Sequence, residues 1–380
     1  MSIAPRSRKS FLSDYPFGPE WYMGLYSKQE IERIYNIRNG EDYLLKLRAD
    51  TLTDHPRYSR VFYHLKYFHE KQGNLNWSPE SYFRREHYAE VLRKLPEEYR
   101  LRCQAIYCGD IFTSEPNGII YDSGIGIICS ISKSLNFFLK FFHLAILDFG
   151  GQIPISVKFN SLRIAVRTML QTESMDFLLD PRGIVPENIV FDIHKPISDQ
   201  LKFIVGHEFA HCCLGHLSVG DMIEKPILQA VGQTNNDYGF VKVFNNSQKQ
   251  ELEADIFSIL IPKYNMVERS RILNSAILWF IGLALYEVAS DYISPASPLS
   301  VKTHPSAIER IENLISKSEL GCLVDKDLLN SFESTIKEYS ALLIDDIGYN
   351  IEAYEDYGSI YLGEPNTEWR GKELIDRIDY

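Results

Sequence analysis

The motif HEFAH, at residues 207–211, follows FIVG (residues 203–206) and precedes CCL (residues 212–214), and this largely apolar stretch predicts a helix. Side chains four residues apart lie on one face of a helix, so His207 and His211 can present two imidazoles to one Zn²⁺ ion. Glu208 would lie beside that ion, where it can take a proton from a zinc-bound water. We therefore predict a zinc centre with Glu208 as the catalytic general base.

The competing interpretation makes His207 and His211 ordinary core histidines. Apolar residues flank the motif on both sides, and burying a histidine without a ligand in such a helix is energetically unfavourable. The HExxH pattern is also rare by chance, even in a chain with ten histidines. Both observations favour the metal-binding interpretation.

A catalytic zinc centre needs a third protein ligand and one open coordination position. His216 is close to the motif but fails on spacing. The pattern HExxHxxGxxH would need glycine and histidine at the positions where this chain has Leu214 and Leu217. The third ligand must therefore come from another part of the chain.

The better candidate lies on a second predicted helix, which begins at Ser247 with a capping-box spacing and continues as QKQELEADIFSILI. Glu251 and Asp255 are four residues apart on it and share a face. We predict that Glu251 is the third ligand. Asp255 would accept a hydrogen bond from the outer nitrogen of a zinc-bound imidazole and so fix its tautomer. Glu253 points elsewhere on the helix and is the weaker alternative.

His304 and Arg310 are candidates for a catalytic role further along the chain. The segment His304-Pro305 with Arg310 could supply a donor to the oxyanion that develops when a peptide carbonyl is attacked. The alternative is a helix entry with Pro305 in its first turn and Arg310 as a surface or capping charge. The residues alone leave both interpretations open.

The composition is that of a globular protein, and it disfavours several kinds of partner. The net charge of −11 argues against nucleic acid, whose phosphates are bound by clustered Lys and Arg.

The apolar run Ala276–Tyr286 is far shorter than the roughly 20 residues of a membrane-spanning helix. The N-terminus lacks the apolar region of a signal peptide, and six scattered cysteines fit a reducing compartment. We expect a soluble, cytoplasmic protein that binds no membrane.

The character of the sequence changes twice along the chain. Residues 1–100 mix aromatic and charged side chains at helical spacing and predict an accessory helical region. Residues 101–325 begin with short β-branched runs between turn residues, and NIVFDI at 188–193 predicts a further strand before a helix that starts near Pro196. Residues 326–380 are an acidic, tyrosine-rich C-terminal extension. We predict an α+β fold with a small sheet and a helix-rich remainder.

Three segments together, HEFAHCCLGH, ELEADIFSILIP and THPSAIERIENL, resemble the Lit-type phage-exclusion peptidases over about residues 103–320. More distantly they are similar to membrane-bound zincins with the pattern HExxH…ExxxD…HPxxxRI, and to soluble ImmA/IrrE-like peptidases. The resemblance implies a zincin-like core. Carried over by position, it implies that the metal ligands are His207, His211 and Glu251. It implies Glu208 as the general base and Asp255 as a hydrogen-bonding partner behind a ligand. It also implies two cleft residues, His304 and Arg310.

The resemblance implies a dormant zinc-dependent endopeptidase that acts in abortive infection. Its substrate would be an intracellular protein of the translation machinery, and a phage-derived product would be the activator. Two alternatives stay open: an ImmA-like regulatory peptidase that cleaves a repressor, and a non-catalytic binding module that contains zinc. Retention of Glu208 argues against the binding module, because a purely structural zinc site has no need of a base.

Overall fold

The computed structural model describes eight segments of the chain: residues 24–54, 56–83, 85–113, 116–217, 222–226, 240–244, 247–295 and 305–363. The chain forms two compact units, Met1–Arg84 and Arg85–Tyr380. The described part of the first unit is helical, with the elements α1 (Lys28–Tyr35), α2 (Gly40–Asp54), α3 (Pro56–Lys71) and a short 3-10 helix (Pro79–Tyr82). The domain boundaries expected at 100/101 and 325/326 stay predictions.

The second unit combines many helices with a few short strands. Its helices are α4 (Glu86–Lys94), α5 (Glu97–Cys103), α6 (Lys133–Ile146), α7 (Ile155–Met169), α8 (Glu187–Cys213), α9 (Gln248–Leu260), α10 (Met266–Ile293), α11 (Ala307–Ser316), α12 (Ser318–Gly321), α13 (Lys326–Tyr349) and α14 (Glu352–Glu355). Its strands are β1 (Tyr107–Cys108), β2 (Gly118–Asp122), β3 (Ile127–Ile131), β4 (Met222–Pro226) and β5 (Phe240–Phe244).

The strands form one sheet in the order β1-β3-β2-β5-β4. β1 pairs with β3 in parallel, and the other neighbouring pairs are antiparallel. α8, the helix that contains HEFAH, lies against β2 and β3. The predicted α+β fold with a small sheet and a helix-rich remainder is confirmed.

The strand predicted at residues 188–193 is wrong, because these residues form the first turns of α8. Ile189 and Ile193 are buried and one helical turn apart, while Phe191 between them is exposed. A short apolar run of this kind cannot be assigned to strand or helix by its periodicity alone. Pro196 lies inside the helix rather than at its start. It costs α8 one backbone hydrogen bond, because proline has no N–H to donate.

α8 and α9 approach each other closely at two small residues, Gly206 and Ser258. A Cβ atom on Gly206 would lie 3.1 Å from the Cβ of Ser258 and 3.3 Å from its carbonyl oxygen. Gly206 immediately precedes the HEFAH motif. The absence of a side chain at this position therefore determines how near the two helices that carry the metal-ligand candidates can come.

Among the described helices, α10 is the one long and apolar enough to cross a membrane by length and composition. Its most apolar 18-residue window is 67% buried inside the protein. Phe280 of α10 packs edge-on against Phe203 of α8 at 5.6 Å between ring centroids. Most of this window is therefore packed against other parts of the same unit.

The C-terminal segment is attached to α7 by charged side chains. Arg163 Nε donates to Asp346 Oδ2 at 2.7 Å. Arg167, also on α7, donates to the backbone carbonyls of Ala353 and of Asp356, the latter at 3.1 Å. Asp346, an acidic residue of the C-terminal extension, is therefore part of the packed unit rather than a solvated charge.

We expect Gly206→Val to lower the free energy of unfolding by about 1–3 kcal/mol, because the added branches would force α8 away from Ser258. Urea denaturation of both proteins measures the change. Gly206→Ala is the graded control, since it adds only the Cβ atom and gains about 1 kcal/mol of helix propensity. Equal stability of Gly206→Val and wild type would contradict the close approach.

Candidate metal centre

The metal-ligand candidates lie on facing sides of α8 and α9. His207 and His211 are one helical turn apart on α8, and both are buried. Glu251 is buried in the first turn of α9, which Ser247 starts by accepting a hydrogen bond from the backbone N–H of Gln250 in a capping box. A carboxylate in this position is also favoured by the helix dipole. The geometry of the two helices thus directs the side chains of His207, His211 and Glu251 into the same region between α8 and α9.

Three donor atoms converge in this space. His207 Nε2 lies 3.1 Å from His211 Nε2 and 3.2 Å from Glu251 Oε2, and His211 Nε2 lies 3.5 Å from Glu251 Oε1. Donor atoms bound to one tetrahedral zinc ion at 2.0–2.1 Å would lie roughly 3.3 Å apart. Among the described residues, this is the one group of His, Cys, Asp or Glu side chains whose ligand atoms are close enough to hold a metal ion together. The residues present therefore fit a metal ion.

A second set of contacts orients His207 from behind. Its Nδ1 atom lies 2.8 Å from Asp255 Oδ1. Arg310 on α11 holds the same carboxylate with two donors, Nε to Oδ2 at 2.7 Å and Nη2 to Oδ1 at 2.5 Å. Burial alone would raise the pKa of Asp255, but the charge and hydrogen bonds of Arg310 lower it. Asp255 is therefore a carboxylate, and its bond to Nδ1 leaves Nε2 of His207 facing the centre.

The electrostatic environment favours a positive charge on the His207 side of the centre. Burial opposes a proton on this imidazole, but the hydrogen bonds that it donates to the carboxylates of Asp255 and Glu251 outweigh burial and raise the pKa of His207 to about 10. Burial and the neighbouring His207 charge lower the pKa of His211 to about 3. Two buried carboxylates thus surround a position where a single cationic charge, a proton or a metal ion, is stabilised.

Glu208 lies beside the donor group, next to the first residue of β2. A Cβ atom on Gly118 would come within 3.5 Å of Glu208 Oε1 and within 2.7 Å of Ile204 Cγ2. Only glycine lets β2 approach α8 this closely without displacing Ile204. The carboxylate of Glu208 is therefore held between the metal-binding helix and the beginning of a strand.

The structure brings most of the predicted site residues together. His207, His211 and Glu251 share the donor group, and Asp255 contacts His207 as expected. The side chain of Arg310 is only 13% exposed and contacts Asp255, the carboxylate that bonds to the imidazole of His207. An oxyanion-stabilising role for Arg310 stays a prediction. His304 lies outside the described residues.

Reasoning from the sequence missed the position of His216. This buried imidazole places its Nδ1 atom 3.1 Å from Nδ1 of His211. Its Nε2 atom lies 3.5 Å from Oε2 of Glu253, whose side chain is 45% exposed. The available signal was Gly215, because glycine just past a helix end often reverses the chain onto the last turn.

The model of peptidase family M48 matches residues 192–318 of this chain. This range contains the donor group, Glu208, Asp255 and Arg310. Comparisons with curated proteins and with solved structures found no match. The family match and the donor group together support a metallopeptidase. The narrower Lit-type and ImmA/IrrE-like resemblances stay predictions.

We expect Glu251→Ala to abolish stoichiometric metal binding, because it removes one of three donors from the group. Glu253→Ala is the matched control, since it removes a carboxylate two residues away that lies outside this group. Metal content per chain, measured by mass spectrometry after dialysis, should be near one for the control and near zero for Glu251→Ala. A metal content near one in both variants would exclude Glu251 as a ligand.

We expect Arg310→Met to cost about 3–5 kcal/mol of stability, because it leaves the buried charge of Asp255 without its cationic partner. Chemical denaturation provides the measurement. Arg271→Met is the comparison, because Arg271 also pairs with a buried carboxylate, Asp199, but its own side chain is 39% exposed. A smaller loss for Arg310→Met than for Arg271→Met would contradict the importance of the buried pair.

Proposed function

We propose that this protein is a zinc-dependent endopeptidase that hydrolyses peptide bonds of an intracellular protein. The observation that carries the proposal is the convergence of His207, His211 and Glu251 within 4.8 Å, with Glu208 beside them. Two imidazoles and one carboxylate form the donor set of catalytic rather than structural zinc sites. The family match over the same residues supports peptide bonds as the substrate.

When bound, zinc supplies a Lewis acid that polarises a carbonyl and makes water a stronger acid. The chain's own contribution is proton transfer and orientation. Glu208 accepts the proton of the attacking water and later delivers it to the leaving amine, the double task of a general base in peptide hydrolysis. Its confinement against Gly118 limits the positions that the carboxylate can take.

Asp255 and Arg310 act as positioning residues in this proposal. Outer hydrogen bonds to a metal-ligating imidazole set its tautomer and ring orientation. Arg310 also lies over the ring of Phe280, 4.5 Å from its centroid, so that its guanidinium is held from two sides. An arginine fixed in this way keeps Asp255 ionised and aligned with His207.

The setting we propose is the cytoplasm, with phage defence by abortive infection as the biological role. Few and scattered cysteines, an acidic net charge and a resemblance to Lit-type peptidases support it. On this proposal the substrate is a protein of the translation machinery and the activator a phage-derived product. An ImmA-like enzyme would instead cleave a repressor, and the identity of the cleaved protein distinguishes the two.

We expect Glu208→Gln to keep one zinc ion per chain and to lose peptidase activity, because the base is not a ligand. Proteomic mapping of new protein termini in cells that express wild type or Glu208→Gln tests both activity and substrate. Termini that appear only with wild type identify the cleaved protein. If Glu208→Gln loses zinc as completely as His207→Ala does, the assigned roles are wrong.

A further inference from the structure

We propose that His216 is a positioning residue that holds His211 for metal binding, and that Glu253 in turn orients His216. The inference rests on the proposed zinc centre, because it assigns a task toward the same ion. His211 contacts His216 through the two Nδ1 atoms, and His216 contacts Glu253 through Nε2. The three side chains form a relay that leads from the donor group to the surface.

The end of α8 places His216 in this position. The N–H of His216 donates to the carbonyl of His211 at 2.9 Å, and the N–H of Gly215 donates to the carbonyl of Cys212 at 3.3 Å. These two bonds define a Schellman motif, in which a residue of positive φ follows the helix. Gly215 has a φ of 76°, which glycine adopts without strain. The helix cap therefore returns His216 to the metal ligand His211.

The relay permits one assignment of protons. Nε2 of His211 faces the donor group, so a lone pair must be there and the proton must be on Nδ1. Nδ1 of His216, 3.1 Å away, must then accept that proton's hydrogen bond. The proton of His216 consequently lies on Nε2, the atom that faces Glu253 Oε2 at 3.5 Å. A carboxylate acceptor at this position favours the tautomer that His211 requires.

The two metal-ligand imidazoles are thus oriented by different means. His207 is held by Asp255, a buried carboxylate that Arg310 pairs. His211 is held by a neutral imidazole whose own partner is 45% exposed. Outer partners of this kind contribute about 10–100-fold to metal affinity or activity. We expect His216 to contribute within that range and Glu253, at longer distance and partly in solvent, to contribute less.

The competing interpretation is that His216 merely packs against the end of α8. An apolar side chain at this position of a Schellman motif usually contacts the last helical turn. His216→Leu separates the two interpretations, because leucine supplies the packing and removes the hydrogen-bond acceptor. His216→Asn is the matched variant, since its side-chain oxygen can replace Nδ1 as an acceptor. Lys195→Ala is the control, as Lys195 is an exposed residue of α8.

The experiment measures the zinc dissociation constant of each full-length variant by competition with a chromophoric chelator. It also records the visible spectrum of the Co²⁺-substituted protein and the thermal stability of the metal-free protein. We expect His216→Leu to bind zinc about 10–100-fold more weakly, with an altered Co²⁺ spectrum and unchanged metal-free stability. His216→Asn should recover most of the affinity, and Lys195→Ala should match wild type.

Zinc affinity of His216→Leu equal to that of wild type would overturn the role of His216 and leave the proposed function intact. Failure of His216→Asn to bind better than His216→Leu would also overturn it. If His216→Leu does not fold, His216→Phe takes its place, because it keeps a ring without an acceptor. A wild-type chain that binds no zinc would instead remove the proposed function, and this inference with it.

Discussion

The buried hydrogen-bond chain from Arg310 through Asp255 to His207 is the interaction on which the site depends. Asp255 has no exposed side-chain surface, and an ionised carboxylate in such a place is costly unless it is fully partnered. Arg310 and His207 together occupy both of its oxygens. The same chain joins α8, α9 and α11, so the stability of the fold and the orientation of a candidate metal ligand have one physical basis.

Aromatic side chains of the second unit pack against this polar chain. Phe280 of α10 contacts both Phe203 of α8 and the guanidinium of Arg310. It therefore places a buried apolar ring against the arginine that supports the donor group. In a region of low polarity, each charge–charge contact is stronger than at the surface, and each unpaired charge is more costly. The long apolar helix α10 thus contributes to the environment in which the charged network is buried.

Local periodicity indicated which side chains share a helix face, and His207, His211 and Glu251 do converge in the structure. The i, i+4 spacings of His207 with His211, and of Glu251 with Asp255, depend only on the pitch of a helix, which neighbouring segments do not change. The capping box at Ser247 placed the start of α9 for the same reason. By contrast, residues 188–193 were predicted as a strand, because six residues of mixed polarity do not distinguish a strand from the first turns of a helix that continues through Pro196.

Residue spacing along a helix was enough to predict which side chains share a face, and with them a candidate site of two imidazoles, one carboxylate and the adjacent Glu208. Two contacts follow instead from tertiary packing. Arg310 supports Asp255, 55 positions earlier in the chain, from behind, and His216 contacts the outer nitrogen of His211. Spacing on one helix follows from backbone geometry alone. A contact between separate segments, or across a helix cap, depends on how the chain packs, and no periodicity in the sequence records that.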